Sequence, residues 1–291
     1  MYDLICVMGA GKPALDCCRI LSEKVPTVIF YDVNEMPAGL LKGRVEKLRG
    51  VEYLWFDKNG IFEDIGKRSG RILLLSIVNP YIIPKRVLTK EGLCAVNLHH
   101  ALLPRHPGRN AEAWAIFEQD EEAGISWHFI GDRIDGGNII AQKSVALDAQ
   151  MTSRKLLKLQ NELIVESFSE FIGELLEGKI SGRPQEKADK VRLHYSYERP
   201  ADGRFDMDWP ANKMSAFLRA MDYGPIRVLG DPEIFLEGER YIIDRYEINA
   251  AKDKENKIIF VKPDSLCIIK DRMMINMQLL QENSQRRKDD Q

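Results

Sequence analysis

A succession of short apolar runs, separated by segments with helical spacing, constrains the fold of this chain more than any other feature. Such runs occupy residues 4–8, 28–31, 71–78 and 93–97. Strands that are apolar on both faces are typical of parallel sheets, because helices cover both faces. Residues 14–21, between the first two runs, have the spacing of a crossover helix. The pattern therefore predicts an α/β fold with a Rossmann-like, parallel-rich sheet and right-handed crossovers.

The fourth run leads into a group of polar side chains. Asn97 ends the run and His99 follows two residues later, which in an extended strand places both side chains on one face. Asp135 follows a further strand predicted at residues 124–130, and the glycines at positions 136 and 137 permit a tight turn beside it. If that strand neighbours residues 93–97, the Asp135 carboxylate can reach His99.

An amide, an imidazole and a carboxylate are the groups that acyl transfer to an amine requires. Asn97 can donate to the oxyanion of the tetrahedral intermediate, and His99 can accept the amine proton. Asp135 can orient the imidazole and relay a proton to the leaving nitrogen. No serine or cysteine nucleophile is obvious, so we expect direct attack by the amine. The other histidines are assigned to structural or supporting roles: His100, His106, His128 and His194.

Two alternatives remain open from the residues alone. Gly9, Gly11 and Ala14 match a dinucleotide fingerprint whose third glycine is replaced, and Asp32 ends the second strand where a ribose-binding acid would lie. The same glycines also suit a plain strand-to-helix turn. A metal site formed by His99, His100 and Asp135 is the second alternative, although these side chains are poorly spaced for zinc.

The second half of the chain predicts a different architecture. Residues 152–176 have the spacing of one long amphipathic helix with Thr152 as its cap, and a polar connection follows. Short strands at regular intervals then predict a small β domain. We therefore expect a catalytic domain at residues 1–190, a β-rich domain at 205–277 and a disordered tail at 278–291.

Charge and cysteine content limit the function classes. The chain has 42 basic and 44 acidic residues and a net charge of −2, which argues against a broad nucleic-acid or membrane surface. Its five cysteines form no metal-binding or disulfide pattern, so we expect a reducing, cytoplasmic compartment. No apolar run approaches membrane-spanning length.

The polar group belongs to a longer, recognisable series of residues. The series is Asn97-x-His99, residues 101–104, Gly108-x-Asn110, Trp114, residues 124–128 and residues 134–140. It resembles the formyltransferases that use N10-formyltetrahydrofolate. The resemblance implies that Asn97, His99 and Asp135 are catalytic, and that the first half of the chain binds folate, with no metal. It also implies contacts to the pterin from Tyr81, Ile82 and Ile83 and from a closing loop of Asp132, Arg133 and Ile134.

Residues 208–221 are similar to the start of the second domain in two branches of these enzymes, the methionyl-tRNA formyltransferases and the sugar N-formyltransferases. Residues 37–43 lack the basic insertion of the tRNA branch, so we expect a nucleotide-linked amino sugar, such as a 4-amino-4,6-dideoxyhexose, as acceptor. A homodimer is compatible with the sugar branch, and a folate- or nucleotide-binding protein without catalysis is the non-enzymatic alternative. Position suggests four acceptor contacts: Lys12, Arg105, Arg109 and Tyr223.

Overall fold

The computed structural model describes residues 2–34, 39–186, 191–253, 255–262 and 264–281. The helices are α1 (Gly11–Ser22), α2 (Lys42–Val45), α3 (Lys58–Lys67), α4 (Lys85–Leu88), α5 (Ala111–Phe117), α6 (Ser153–Leu176) and α7 (Ala211–Met221). The strands are β1 (Leu4–Gly9), β2 (Val28–Asp32), β3 (Val51–Leu54), β4 (Ile72–Ile77), β5 (Leu93–His99), β6 (Glu122–Phe129), β7 (Ile139–Ala146), β8 (Glu233–Leu236), β9 (Glu239–Ala250), β10 (Lys257–Lys262), β11 (Ser265–Lys270) and β12 (Met273–Gln281). Among the described residues, no helix has the length and apolar character needed to cross a membrane.

Seven strands form the first sheet, in the order β3-β2-β1-β4-β5-β6-β7. The neighbours from β3 to β5 pair in parallel, and β6 runs antiparallel to β5. The predicted Rossmann-like, parallel-rich sheet is therefore confirmed. Because the carboxyl ends of parallel strands meet at one edge, this edge is where open α/β sheets bind ligands.

Successive residues of a strand point to opposite faces, so the first sheet carries two apolar cores. On one face Val7 belongs to a cluster with Leu15 of α1 and Phe168 of α6. On the other face Met8 belongs to a cluster with Phe62 of α3. Burying each of these side chains stabilises the fold by about 1.5–3 kcal/mol relative to exposure. Burial on both faces explains why β1 and β4 are apolar without alternation.

Helix α6 supports the strand that leads to Asp135. The helix begins directly after Thr152, whose Oγ1 accepts a hydrogen bond from the N–H of Lys155 at 3.3 Å, so the predicted cap is confirmed. Trp127 of β6 is fully buried, and its Nε1 donates to Oγ of Ser167 at 2.9 Å. These contacts fix β6 beside β5 and so determine where the turn after β6 begins.

The second compact unit consists of Arg109–Ala123, Ala146–Leu157 and the described part of His194–Gln291. Its sheet has the order β10-β11-β12-β9-β8, and all of its strand pairs are antiparallel. Helix α7 packs on α5. The rings of Phe117, Trp209 and Phe217 meet with centroids 5.6–6.4 Å apart and form the aromatic core of this unit.

This division differs from the predicted one. Arg109–Ala123 and Ala146–Leu157 belong with the second unit, whereas the prediction placed both in a catalytic domain of residues 1–190. The reason is the packing of α5 on α7, a contact between residues far apart in sequence. The predicted tail also begins too early, because β12 continues through Gln281 and includes residues 278–281. The rest of that tail, residues 282–291, lies outside the described residues.

Candidate active site

Strand β5 presents the predicted amide and imidazole at the carboxyl-end edge of the first sheet. Asn97 lies opposite Ser76 in the parallel register with β4 and opposite His128 in the antiparallel register with β6. His99, at the end of β5, is 6% exposed. The two neighbouring strands therefore surround Asn97 with polar side chains in an otherwise apolar sheet.

Asp135 reaches the same edge from the turn after β6. Its φ of 51° lies in the left-handed region, which aspartate tolerates better than most side chains. Gln185 Nε2 donates to the main-chain carbonyls of Asp135 and Gly137 at 2.6 and 2.8 Å and holds the turn. Position 137 requires glycine, because a Cβ there would lie 1.8 Å from the carbonyl oxygen of Phe129.

The structure brings the three predicted catalytic side chains together. Asp135 Oδ2 lies 3.5 Å from His99 Nδ1, and Asp135 Oδ1 lies 3.5 Å from Asn97 Nδ2. The N–H of Gly108 donates to Asp135 Oδ2 at 2.8 Å. The carboxylate therefore lies between an amide donor and a titratable nitrogen, an arrangement that can hold and move a proton.

The hydrogen bonds of His99 determine which of its nitrogens can act as a base. Nε2 lies 2.8 Å from the main-chain carbonyl oxygen of His106, which can only accept, so Nε2 carries a hydrogen. In the neutral ring Nδ1 is then unprotonated, and it faces the Asp135 carboxylate. Nδ1 is thus the atom that can take a proton, and the carboxylate stabilises the imidazolium that results.

Asn97 has two polar neighbours besides Asp135: His128, for which the sequence predicts only a structural or supporting role, and Ser76, to which it assigns none. His128 donates through Nδ1 to the carbonyl of Phe129 at 2.9 Å, and its Nε2 lies 3.2 Å from Asn97 Nδ2 and 3.4 Å from Asp135 Oδ1. Ser76 Oγ donates to Asn97 Oδ1 at 2.7 Å. The signal that would have found them is the register of β4 and β6 against β5, which the sequence pattern does not specify.

The electrostatics of the cluster favour an ionised Asp135. Burial alone would raise the pKa of this carboxyl group. The neighbouring His99 charge, the hydrogen bond from His128 and the N–H of Gly108 outweigh burial and lower the pKa to about 2. The carboxylate therefore stays charged throughout the pH range in which histidine titrates.

This depressed pKa predicts a pH-dependent contribution to stability. The pKa is 3.8 in the unfolded chain and about 2 in the folded protein, so the contribution is complete above pH 4 and is lost as the pH falls toward 2. The full value is about 2 kcal/mol. Between pH 4.5 and 3, we expect the free energy of unfolding of the wild type, relative to Asp135→Asn, to fall by about 1 kcal/mol in urea titrations. An unchanged difference across this range would contradict the assignment.

The predicted pterin contacts lie in two loops. Asn79 holds the first loop through both main-chain polar groups of Tyr81, and within this loop Ile83 is 7% exposed and Ile82 is 67% exposed. The second loop exposes all three predicted residues, Asp132, Arg133 and Ile134. Both loops extend from carboxyl ends of strands, β4 in one case and β6 in the other. These positions leave Ile82 and Ile134 free to contact a ligand.

The predicted acceptor contacts have different surroundings. The Lys12 side chain is exposed and pairs with Asp16, and Arg109 is also exposed. Arg105 is partly exposed in the loop that follows β5. Tyr223 is 5% exposed, and its hydroxyl donates to Glu112 at 2.7 Å. Tyr223 is therefore a core residue of the second unit and exposes little surface for the predicted contact with an acceptor.

The structure also bears on the dinucleotide alternative. Gly9 is needed for packing, because a Cβ there would lie 2.4 Å from the carbonyl oxygen of Ile77. The Asp32 carboxylate is fully buried and accepts hydrogen bonds from Tyr53 and Asn34. The glycines therefore form a tight strand-to-helix turn, and Asp32 serves the fold.

The metal alternative required three side chains to converge. Among the described residues, His99, His100 and Asp135 do not form a group whose ligand atoms all lie within 4.8 Å of one another. In addition, Nε2 of His99 already donates to a carbonyl. These residues therefore do not fit the proposed metal site.

An amide, an imidazole and a carboxylate at the carboxyl-end edge of a Rossmann-like sheet are groups that can catalyse acyl transfer to an amine. Residues 77–170, which include all three side chains, match the family model described as formyl transferase. The chain therefore carries a formyl transferase domain over these residues.

Curated relatives fall into two groups. A GDP-perosamine N-formyltransferase of Brucella melitensis is 26% identical over 252 residues, which cover 84% of this chain and 93% of that protein. A methionyl-tRNA formyltransferase of Desulfotalea psychrophila is 27% identical over 180 residues, which cover 61% of this chain and 54% of that protein.

Solved structures share the fold. An N-formyltransferase from Helicobacter canadensis, in complex with folinic acid and dTDP-3-aminofucose, matches with a TM-score of 0.74 and 16% identity over 95% of this chain and 99% of its own. A 4-N formyltransferase from Francisella tularensis matches with a TM-score of 0.66 and 20% identity over 82% of this chain and 95% of its own.

Proposed function

We propose that this enzyme transfers the formyl group of N10-formyltetrahydrofolate to the amine of a nucleotide-linked amino sugar, specifically the 4-amine of a 4-amino-4,6-dideoxyhexose. The observation that carries the proposal is the cluster of Asn97, His99 and Asp135 at the carboxyl-end edge of the sheet. The full-length similarity to a GDP-perosamine N-formyltransferase supports a sugar acceptor. The Helicobacter canadensis complex supports a folate cosubstrate.

In the proposed reaction the acceptor amine attacks the formyl carbon directly. A new C–N bond forms, and the formyl oxygen becomes an oxyanion that accepts a hydrogen bond from Asn97 Nδ2. Asn97 is suited to this role because its Nδ2 lies as far as 3.5 Å from Asp135 Oδ1. A hydrogen bond of this length is weak, so a stronger acceptor such as the oxyanion can replace it.

The amine proton then needs a route to the leaving nitrogen. His99 Nδ1 accepts this proton, and the adjacent Asp135 carboxylate stabilises the imidazolium. Collapse of the intermediate breaks the bond between the formyl carbon and N10, and the proton passes to N10. The products are a formamide on the sugar and tetrahydrofolate, so one proton moves from one nitrogen to another and no oxidant is needed.

The pterin would lie between the two loops described above. Ile82 and Ile134 offer apolar contacts, while the polar groups of Asp132 and Arg133 are exposed in the same loop as Ile134. For the acceptor, exposed cations are suited to a diphosphate, and Lys12, Arg105 and Arg109 remain the candidates. A rise in acceptor KM in alanine variants, with the folate KM unchanged, would support each of the three.

A tRNA acceptor is the second candidate, because a methionyl-tRNA formyltransferase is 27% identical over 180 residues. The net charge of −2 disfavours the many phosphate contacts that tRNA binding requires. Residues 39–43 contain a single basic residue, Lys42, while positions 37 and 38 lie outside the described residues.

The test is a turnover assay that follows release of tetrahydrofolate from N10-formyltetrahydrofolate. Parallel reactions contain nucleotide-linked 4-amino sugars, the matched 3-amino sugars, or charged initiator tRNA. We expect release only with a 4-amino sugar, and the formamide product is then verified by mass spectrometry. Release with a 3-amino sugar alone would show that the acceptor amine is on carbon 3 of the sugar. Release with tRNA alone would show that the acceptor is that of the methionyl-tRNA branch. Folate binding without release in any reaction would favour a binding protein.

A further inference from the structure

We propose that Ser76 is a positioning residue, which fixes the orientation of the Asn97 side-chain amide and links it through Asn79 to the main chain of Tyr81. This inference rests on the proposed function, because it assigns a role to Ser76 in that reaction. Neither Ser76 nor Asn79 belongs to the predicted catalytic group. Ser76 lies opposite Asn97 near the carboxyl end of β4, and Asn79 follows the end of this strand and contacts Ser76.

The direction of this hydrogen-bond chain is set by main-chain atoms. Asn79 Oδ1 accepts from the N–H of Tyr81 at 2.9 Å, and Asn79 Nδ2 donates to the carbonyl oxygen of Tyr81 at 2.9 Å. A main-chain nitrogen can only donate and a carbonyl oxygen can only accept. The amide of Asn79 therefore has one permitted orientation, with its Nδ2 available as a donor to Ser76 Oγ at 3.1 Å.

This orientation determines what Ser76 can do. Its oxygen accepts from Asn79, so its hydroxyl proton is available to Asn97. The atom of Asn97 that lies 2.7 Å from Ser76 Oγ is Oδ1, which accepts this proton. Nδ2 of Asn97 then points toward His128 and Asp135, where the oxyanion would form.

Without the Ser76 hydroxyl, Asn97 Oδ1 loses its donor among these contacts, and the amide is held through Nδ2 alone, by Asp135 Oδ1 at 3.5 Å and His128 Nε2 at 3.2 Å. A tilted amide would move Nδ2 away from the oxyanion and weaken the hydrogen bond that stabilises it. Ser76 is 1% exposed, so bulk water does not replace its hydroxyl. Ser76 therefore acts on the reaction through Asn97 and does not need to touch the substrate.

A double-mutant cycle in kcat tests this role. We expect Ser76→Ala to lower kcat by about 10-fold or more, within the 10²–10³-fold effect of removing an oxyanion donor. In the Asn97→Ala background, the same substitution is expected to change kcat by less than about 2-fold, because no amide remains to be oriented. Equal effects in both backgrounds, or no effect on the wild type, would overturn the proposal.

The matched control is Ser153→Ala, which removes a fully buried hydroxyl that donates to the carbonyl oxygen of Ala220 at 2.6 Å within the second unit. We expect this variant to lose stability but keep its kcat.

A second readout does not depend on turnover. In ¹⁵N-HSQC spectra the side-chain amide signals of Asn97, identified by their loss in Asn97→Ala, are expected to shift in Ser76→Ala and to stay in place in Ser153→Ala. Unshifted signals in Ser76→Ala would refute the positioning role. This readout is independent of the turnover assay, so it also holds if the wild-type enzyme uses none of the acceptors and the proposed function fails.

Discussion

Replacing His99 by alanine is expected to lower kcat by about 10²–10⁴-fold, the usual effect of removing a general base. The structure gives the reason, because Nδ1 is the unprotonated nitrogen of the neutral ring and faces the Asp135 carboxylate at 3.5 Å. Asp135 itself cannot substitute, since its pKa of about 2 makes it a poor proton acceptor at neutral pH. Steady-state turnover with the acceptor found in the panel measures the loss.

Added imidazole provides the control for this variant. The substitution leaves a space beside Asp135 that free imidazole can enter, so we expect partial recovery of kcat with imidazole in His99→Ala. Asn97→Ala lacks a hydrogen-bond donor and retains its base, and it should gain nothing from imidazole. Wild-type kcat in a correctly folded His99→Ala protein would remove His99 from the mechanism.

Replacing Asn97 by alanine is expected to lower kcat by about 10²–10³-fold, which corresponds to the loss of one oxyanion donor. Most of this effect belongs to the transition state, because the oxyanion is absent from the bound substrate. We therefore expect the KM values for folate and acceptor to change by much less than kcat. Initial-rate measurements with each substrate varied in turn separate the two parameters.

Asn97→Asp is the matched variant, because it keeps the size of the side chain and replaces the Nδ2 donor by an acceptor. It should lose at least as much kcat as Asn97→Ala, since a second carboxylate beside Asp135 opposes the developing negative charge. A rise in KM at constant kcat in either variant would show that Asn97 binds substrate and does not stabilise the transition state.

The parts of the fold that follow from local pattern could be predicted from the sequence. The apolar runs locate β1, β2, β4 and β5 because burial on both faces demands uniformly apolar residues. Helix α6 follows from a long helical repeat with Thr152 as its cap. In contrast, the sequence pattern does not predict β12. This strand has no clear alternation of its own, and its position depends on pairing with β9 and β11.

The candidate site shows the same limit. Asn97 and His99 share a strand face, so their proximity follows from a two-residue period. The contacts of Asn97 with Ser76 and His128 depend on the register of three strands, and no short segment of sequence specifies that register. The surroundings of Tyr223 show this limit again, because its hydroxyl donates to Glu112, 111 residues away, and no short segment of sequence indicates that contact.

The left-handed backbone of Asp135 has an evolutionary consequence. At a φ of 51° the side chains that fit most readily are glycine, asparagine and aspartate, and asparagine is separated from aspartate by a single nucleotide transition in either codon. One such mutation would remove the carboxylate while keeping the turn and its hydrogen bonds from Gln185. If the proposed role of Asp135 holds, a relative that has lost activity in this way would be one genetic step away and would keep nearly the same structure.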